Sequence, residues 1–464
     1  MRPGLLGSLC LTALASFLAV TAPLPAHAAE IHAPIPFEKY TLGNGLEVIL
    51  HEDHRTPVVT VNIWYHVGSK DEPAGKNGFA HLFEHVMFQG SRDVGEDQFF
   101  KYLERAGTSD RNGSTNTDRT NYFETVPVGA LPLVLWLESD RMGFLLDHVN
   151  QETFASQRDV VKNERRQNYE NAPYGLVSKF VREAIYPASH PYHLTTIGTP
   201  EDLDAATLDD VRAFFKTFYL PNNATLVVAG DIDKAATKTL VDKYFATIAP
   251  GATPPVKSTP MPVTLDGEKR LDVQADVELP RVILSWPTPA WLDPADLTLD
   301  IAGGILSSGK SSRLHKRLVY DLQIAQDVSA SEQSAQLGST FAISVTLKKG
   351  KDPAEAIKII DEELAKLRAA PPTDDELERT RTPILSRAVF GIERVGARAE
   401  ILNQMNQIAH DPGFLDKQLA MYQALKPADI QTAVAQWLPA GKRVVTVVTP
   451  TPGAPRAGRL AGGK

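Results

Sequence analysis

The alternation of apolar and polar positions divides the chain into strands and helices, with a pair of strands opening the first half. Leu46-Glu47-Val48-Ile49-Leu50, directly after an Asn44-Gly45 turn, predicts one strand, and the period-two run from Val58 to Val67 predicts a second, half-buried one. Between them, His51-Glu52-Asp53-His54 has the place of a solvated loop, not a ligand set. Over 78–90 the period changes: Phe79, Leu82, Phe83 and Val86 recur at helical spacing, with Asn77 available as N-cap and Gly90 as stop. Further helices are predicted over 96–106, 131–147, 151–169 and 210–218, a polar, Thr-rich edge strand over 112–126, and a buried strand over 225–229.

The pattern then repeats. Asp210-Val-Arg-Ala-Phe-Phe-Lys-Thr-Phe-Tyr-Leu-Pro, followed by Leu-Val-Val, is echoed by Asp429-Ile-Gln-Thr-Ala-Val-Ala-Gln-Trp-Leu-Pro, followed by Val-Val-Thr-Val-Val, an offset of 429 − 210, or 219. Residues 248–262 are rich in Pro, Thr and Lys without periodicity. The expected organisation is one domain over 29–247, a linker over 248–265, a second, similar domain over 266–450 and a disordered Pro/Gly-rich tail over 451–464.

Composition narrows the chemistry. Arg2, the apolar run from Leu5 to Val20 and Ala26-His27-Ala28 predict an export signal over 1–28, cleaved before Ala29. The run is too short and too interrupted by Gly7, Ser8, Thr12 and Ser16 for a membrane anchor, so no membrane span is expected after its removal. Cys10, the single cysteine, lies inside it, which leaves the mature chain without thiols and with His, Asp and Glu as its candidate metal ligands. Mature length is 464 − 28, or 436 residues, and loss of Arg2 leaves 47 basic against 56 acidic residues. A dispersed, acidic charge pattern argues against a nucleic-acid partner.

On the helix over 78–90, His81 and His85 are four apart and share a face, with Glu84 beside them. This H-x-x-E-H order reverses the commoner H-E-x-x-H zinc helix and offers the same chemistry, two neutral nitrogens and a carboxylate beside the metal-bound water. At the same offset of 219, His81, Glu84 and His85 fall on Asp300, Gly303 and Gly304, so the second domain is expected to lack the site. Gly304-Ile-Leu-Ser-Ser-Gly309-Lys310-Ser311 matches a phosphate-binding loop to the letter, but a helix over 297–306 precedes it where such a loop needs a strand. On the helix over 151–169, Gln157, Val161 and Glu164 share a face, and only tertiary packing could bring Glu164 to the histidines.

Asn44-Gly-Leu-Glu-Val-Ile-Leu, Val67-Gly-Ser and Gly78 through Ser91 together resemble the inverted-zincin metallopeptidases: pitrilysin, insulin-degrading enzyme and the mitochondrial processing peptidases. The resemblance continues through Asn112, Thr120 to Pro127, Asp140-Arg-Met142 and Arg158 to Glu164, then more faintly through the second half. It implies an α+β fold of two similar domains, each a mainly antiparallel sheet covered by helices, closing like a clam on an extended peptide. Carried over, it makes His81, His85 and Glu164 the ligands of one Zn2+, Glu84 the general base, and Asn112 a substrate-backbone contact on the edge strand. The implied activity is a periplasmic or secreted zinc endopeptidase acting on peptides.

Two positions depart from that family. Gln157 stands where relatives carry a second glutamate, and Val319 and Gln326 stand where they carry a substrate-contacting Arg and Tyr. The second departure suggests the zinc-bearing subunit of a heterodimer with an Arg/Tyr-bearing homologue; the alternative is a non-catalytic scaffold or binding subunit of the same fold.

Overall fold

The computed structural model describes residues 31–251 and 259–462. The expected export signal and the centre of the expected linker lie outside the described residues. The first half contributes β1 (Glu38–Thr41), β2 (Glu47–Glu52), β3 (Val58–Tyr65), β4 (Asp110–Thr115), β5 (Thr120–Pro127) and β6 (Ala224–Gly230), in the sheet order β1-β2-β6-β3-β5-β4. The second contributes β7 (Lys269–Ala275), β8 (Arg281–Thr288), β9 (Ala325–Gln333), β10 (Ser339–Leu347), β11 (Val444–Pro450) and β12 (Arg459–Leu460), in the order β12-β7-β11-β8-β10-β9. Strand for strand these are one topology, apart from the source of the terminal strand next to β2 or β7. Each sheet is antiparallel except for one central parallel pair, β2 with β6 and β7 with β11.

Helices of the first half are α1 (Phe79–Val86), α2 (Gln98–Arg105), α3 (Leu131–Phe144), α4 (Gln151–Arg165), α5 (Val177–Ile185), α6 (Pro200–Ala205), α7 (Leu208–Phe218) and α8 (Lys234–Phe245). Those of the second are α9 (Pro294–Ser307), α10 (Pro353–Ala369), α11 (Asp374–Gly391), α12 (Val395–Ala409), α13 (Phe414–Ala424) and α14 (Pro427–Trp437). Displaced by 219, α7 coincides with α14. The same offset carries the start of α5 into the first turn of α12, and these two helices are exchanged.

That exchange sets how the halves pack. Val48 and Leu50 of β2 face the core of their own half, with Val59, Val61 and Ile63 of β3. Ile49, between them, and Val227 and Ala229 of β6 pack instead with Ala399 and Leu402 of α12, from the second half. In return Val177 of α5 packs on Val273, Ala275 and Val448 of the second sheet. Both faces of the central strands are therefore dry, and these strands read as nearly continuous apolar runs. At about 25 cal/mol per Å² of apolar surface removed from water, such faces dominate the stability of the pair.

Four expectations need correction. The Thr-rich stretch over 112–126 is not one strand but the β4–β5 hairpin, because Asn116 turns the chain: its Oδ1 accepts from Asp118 N and Arg119 N at 2.7 and 2.9 Å. The tail is structured, not disordered, over its described residues 451–462. Thr451 N donates to Ala275 O (2.8 Å) and Ala461 N to Asp272 O (2.7 Å), Ala457 is buried, and β12 pairs with β7, because the sheet edge satisfies backbone groups that the tail's composition left unassigned. His51 and Glu52 belong to β2, not to a solvated loop: His51 is buried with Nδ1 at 2.6 Å from Pro36 O, and Asp53 pairs with Arg398 of α12. The N-cap of α1 is Gly78, not Asn77.

Candidate metal centre

Five apolar residues of α1, Phe79, Ala80, Leu82, Phe83 and Val86, face the core, and the helix presents its remaining side outward. His81, Glu84 and His85 occupy that side. Tyr122 of β5 donates its hydroxyl to Phe83 O (3.3 Å), which fastens the helix to the sheet. The helix comes close to β4 because Gly113 has no side chain: a Cβ there would stand 3.1 Å from Glu84 Cγ and 3.2 Å from the rings of Phe88 and Tyr122. Thr115, two residues on, faces the same way, with its hydroxyl 3.5 Å from Ala80 O.

Tertiary packing brings in the fourth residue. α4 lies against α1, and Glu164 near its end points at both histidines, with Oε2 at 3.7 Å from His81 Nε2 and 3.4 Å from His85 Nε2. One donor atom from each of the three residues lies within 4.8 Å of the others. A π-helical turn, Arg166–Glu170, follows α4 at once, a distortion found often beside functional sites. The His81, His85 and Glu164 side chains are 12%, 23% and 35% exposed, so the cluster opens to solvent on the Glu164 side.

Electrostatics suit metal binding. Burial pushes His81 down to about 4, with His85 adding to the effect. Burial also lowers His85, against the opposing charge of Glu164. Both imidazoles are thus neutral at neutral pH and present lone pairs. His81 Nδ1 is buried without a hydrogen-bond partner, which leaves Nε2, the nitrogen turned to Glu164, to bind an ion. Two neutral imidazoles and a carboxylate, with no thiolate, form a donor set that fits zinc and leaves a coordination position open. The Glu84 carboxyl is raised by burial and by the charge of Glu164, while the Thr115 hydroxyl and Arg119 oppose the rise.

Asn112 stands apart from this cluster. It is an exposed residue of β4, which ends its sheet, and its Oδ1 accepts from Gly113 N (3.0 Å). Strand alternation puts it on the face opposite Gly113, the face of Asp110, Ser114 and Asn121, which line a cavity of about 950 Å³ roofed by Val395, Gly396 and Glu400 of α12. Glu400 there accepts from Asn62 Nδ2 (2.8 Å), Trp64 Nε1 (3.1 Å) and Asn121 Nδ2 (3.0 Å). The edge strand therefore separates the donor cluster from a roomy polar cavity. Gln157 is buried on α4, Val319 lies in the π-helical turn His315–Asp321, and Gln326 is exposed at the start of β9. Gly304 belongs to α9, so the phosphate-loop pattern has no strand before it.

Two family descriptions match the chain, "Insulinase (Peptidase family M16)" over residues 47–199 and "Peptidase M16 inactive domain" over 205–384. The zinc protease PqqE of Helicobacter pylori is 32% identical over 383 residues, 80% of this chain and 83% of that protein. The chain belongs to the M16 peptidase family. Among solved structures, a protease from H. pylori matches with a TM-score of 0.84 at 27% identity over 90% of this chain and 100% of that one. The periplasmic protease PqqL of Escherichia coli shares the fold, with a TM-score of 0.74 at 17% identity over 90% of this chain but 48% of its own. The M16 peptidase description falls on the half with the donor cluster, and the inactive-domain description spans Asp300, Gly303 and Gly304.

Sequence reasoning missed Gly113 and Thr115, which shape the site, and Glu72, a loop residue whose carboxyl oxygens accept from Gly78 N (3.0 Å) and Ala80 N (2.9 Å) at the start of α1. Glu72 had one signal: a helix that begins after glycine needs a cap from elsewhere.

Proposed function

We propose that this M16 peptidase is a zinc-dependent endopeptidase that cleaves extended peptides or small unfolded proteins, with one Zn2+ held by His81, His85 and Glu164. The observation that carries this reading is the convergence of those donors beside Glu84 at the free edge of β4. When bound, zinc supplies Lewis acidity that lowers the pKa of a water ligand to about 7 and polarises a carbonyl. Glu84 takes the proton of the attacking water and passes it to the leaving amine, a role suited to a carboxyl whose affinity for protons is raised. A substrate strand added to β4 would pair with the outward backbone groups, with Asn112 releasing Gly113 N–H to it. Gln157 can hydrogen-bond near the site but brings no charge.

Partner dependence is the finer part of the proposal. Val319 and Gln326 cannot supply the contacts an Arg and a Tyr would make, and PqqL, about twice the matched length, supports a second homologous unit completing the clam-like chamber. Export to the periplasm is supported by the N-terminal pattern and by the location named for PqqL. No described helix is long and apolar enough to cross a membrane. The same missing pair favours the second reading, a scaffold or binding subunit of this fold.

The test is hydrolysis of a mixed peptide library by the zinc-loaded chain, with Glu84→Gln as blank, alone and with an Arg/Tyr-bearing homologue. Cleavage that appears only in the mixture and vanishes in the variant supports the heterodimer. Equal cleavage without the homologue removes the partner requirement, and none in either case leaves the scaffold.

A further inference from the structure

With eight residues, α1 is too short to hold its own shape in water. Its N-cap, Gly78 at φ +98°, has no side chain to receive the N–H groups of the first turn. Glu72, six residues upstream in a loop, does so. Its Oε2 accepts from Gly78 N (3.0 Å) and Asn77 Nδ2 (3.0 Å), and its Oε1 accepts from Ala80 N (2.9 Å), the residue before His81. Asp202 of α6 holds Asn77 N at 2.9 Å.

The same end of α1 is tied to α4. A Cβ on Gly78 would stand 2.7 Å from Gly198 Cα, so the two backbones touch, both with positive φ. Gly198 O accepts from Arg165, the residue after Glu164. The two histidines and Glu164 are thus referred to one small region of backbone, and Glu72 holds it from the α1 side.

We propose that Glu72 is a positioning residue for the metal donors: by binding the first-turn N–H groups of α1, its carboxyl group sets where His81 and His85 stand relative to Glu164. The inference rests on the zinc reading above. Zinc–nitrogen bonds of about 2.0–2.1 Å tolerate little displacement, and three N–H donors on one buried carboxyl group resist it; burial pushes that carboxyl up to about 8, against the pull of the same three hydrogen bonds.

The experiment measures zinc affinity by chelator competition and the absorption spectrum of the Co2+-loaded chain. It compares wild type, Glu72→Gln, Glu72→Asp and Val241→Ala, a core truncation on α8. Glu72→Gln puts an NH2 where an acceptor is needed; zinc binding should weaken about 10- to 100-fold, as for other supports of metal ligands, and the Co2+ spectrum should shift. Glu72→Asp should recover part of both. Val241→Ala should lower the melting temperature and leave both unchanged, which separates positioning from general stability. A Glu72→Gln chain that binds zinc within about twofold of wild type, with the wild-type Co2+ spectrum, overturns the proposal. Should that variant fail to fold, Glu72→Asp decides by the same criterion. Wild type that binds no zinc overturns the metal reading and this inference together.

Discussion

In the first half, the space between helix and edge strand is opened from the strand: Gly113 lacks a side chain, and Glu84 uses the room. In the second half the glycines sit on the helix. A Cβ at Gly303 of α9 would stand 2.8 Å from Ala330 O of β9, and one at Gly304 would stand 2.2 Å from Thr380 Cγ2 of α11. At the common offset of 219, His81, Glu84, His85 and Glu164 fall on Asp300, Gly303, Gly304 and Pro383. Asp300 is turned inward, accepting from Tyr422 OH at 2.9 Å. One topology can therefore hold a donor cluster or a closed helix-strand contact. The glycine stands on the strand where the cluster is open and on the helix where the contact is closed.

The strongest way to break that contrast is to remove a donor. His85→Ala should abolish zinc binding at stoichiometric metal by isothermal titration, whereas Asp300→Ala should leave it intact; loss in both would mean that the halves are not functionally distinct. Glu84→Gln should keep zinc and lose peptidase turnover by about 10²- to 10⁴-fold, the usual contribution of a positioned general base. A Glu84→Gln chain that cleaves as well as wild type would remove Glu84 from the chemistry.

Acid should dissect the site next. The metal-free fold carries His81 lowered to about 4 from an ordinary 6.5, so the unfolded chain binds more protons over that interval. Stability should then fall as pH drops from about 6.5 towards 4, and His81→Gln should flatten that slope in denaturant titrations. Zinc should stay bound at pH 5.5, where unperturbed imidazoles would be mostly protonated, and leave near pH 4. Release already complete at pH 6 would contradict a buried, neutral pair.

Smaller effects sharpen the steric side. Gly113→Ala should reduce kcat/KM about tenfold with zinc retained, because the new methyl displaces Glu84 and not the histidines. Gly304→Ala should cost about 1–3 kcal/mol of stability by overpacking against Thr380 and leave zinc affinity alone. Truncation after Pro450 should have the smallest effect, a modest fall in melting temperature from the loss of β12 without change at the site.

Much of this contrast was legible in the chain. Helical spacing put His81, Glu84 and His85 on one face, and the repeat between Asp210 and Asp429 located the degenerate counterpart, because both depend on local periodicity and a shared register. The β4–β5 hairpin was misjudged because its polar turn, held by the Asn116 side chain, interrupts no apolar pattern. The tail was misjudged because a sheet edge, and not its own composition, orders it.

Local spacing in the chain is enough to fix the ligand chemistry available, the pairing of two imidazoles at a spacing of four, and the doubling of the architecture. Tertiary structure alone decided that Glu164, 79 residues beyond His85, faces those imidazoles, that α5 and α12 change places between the halves, and that Glu72 caps a helix it does not belong to. The physical reason is reach. Periodicity relates side chains a few residues apart on one element, whereas these contacts join separate elements whose approach is set by burial of apolar faces and by where a glycine lets two backbones meet.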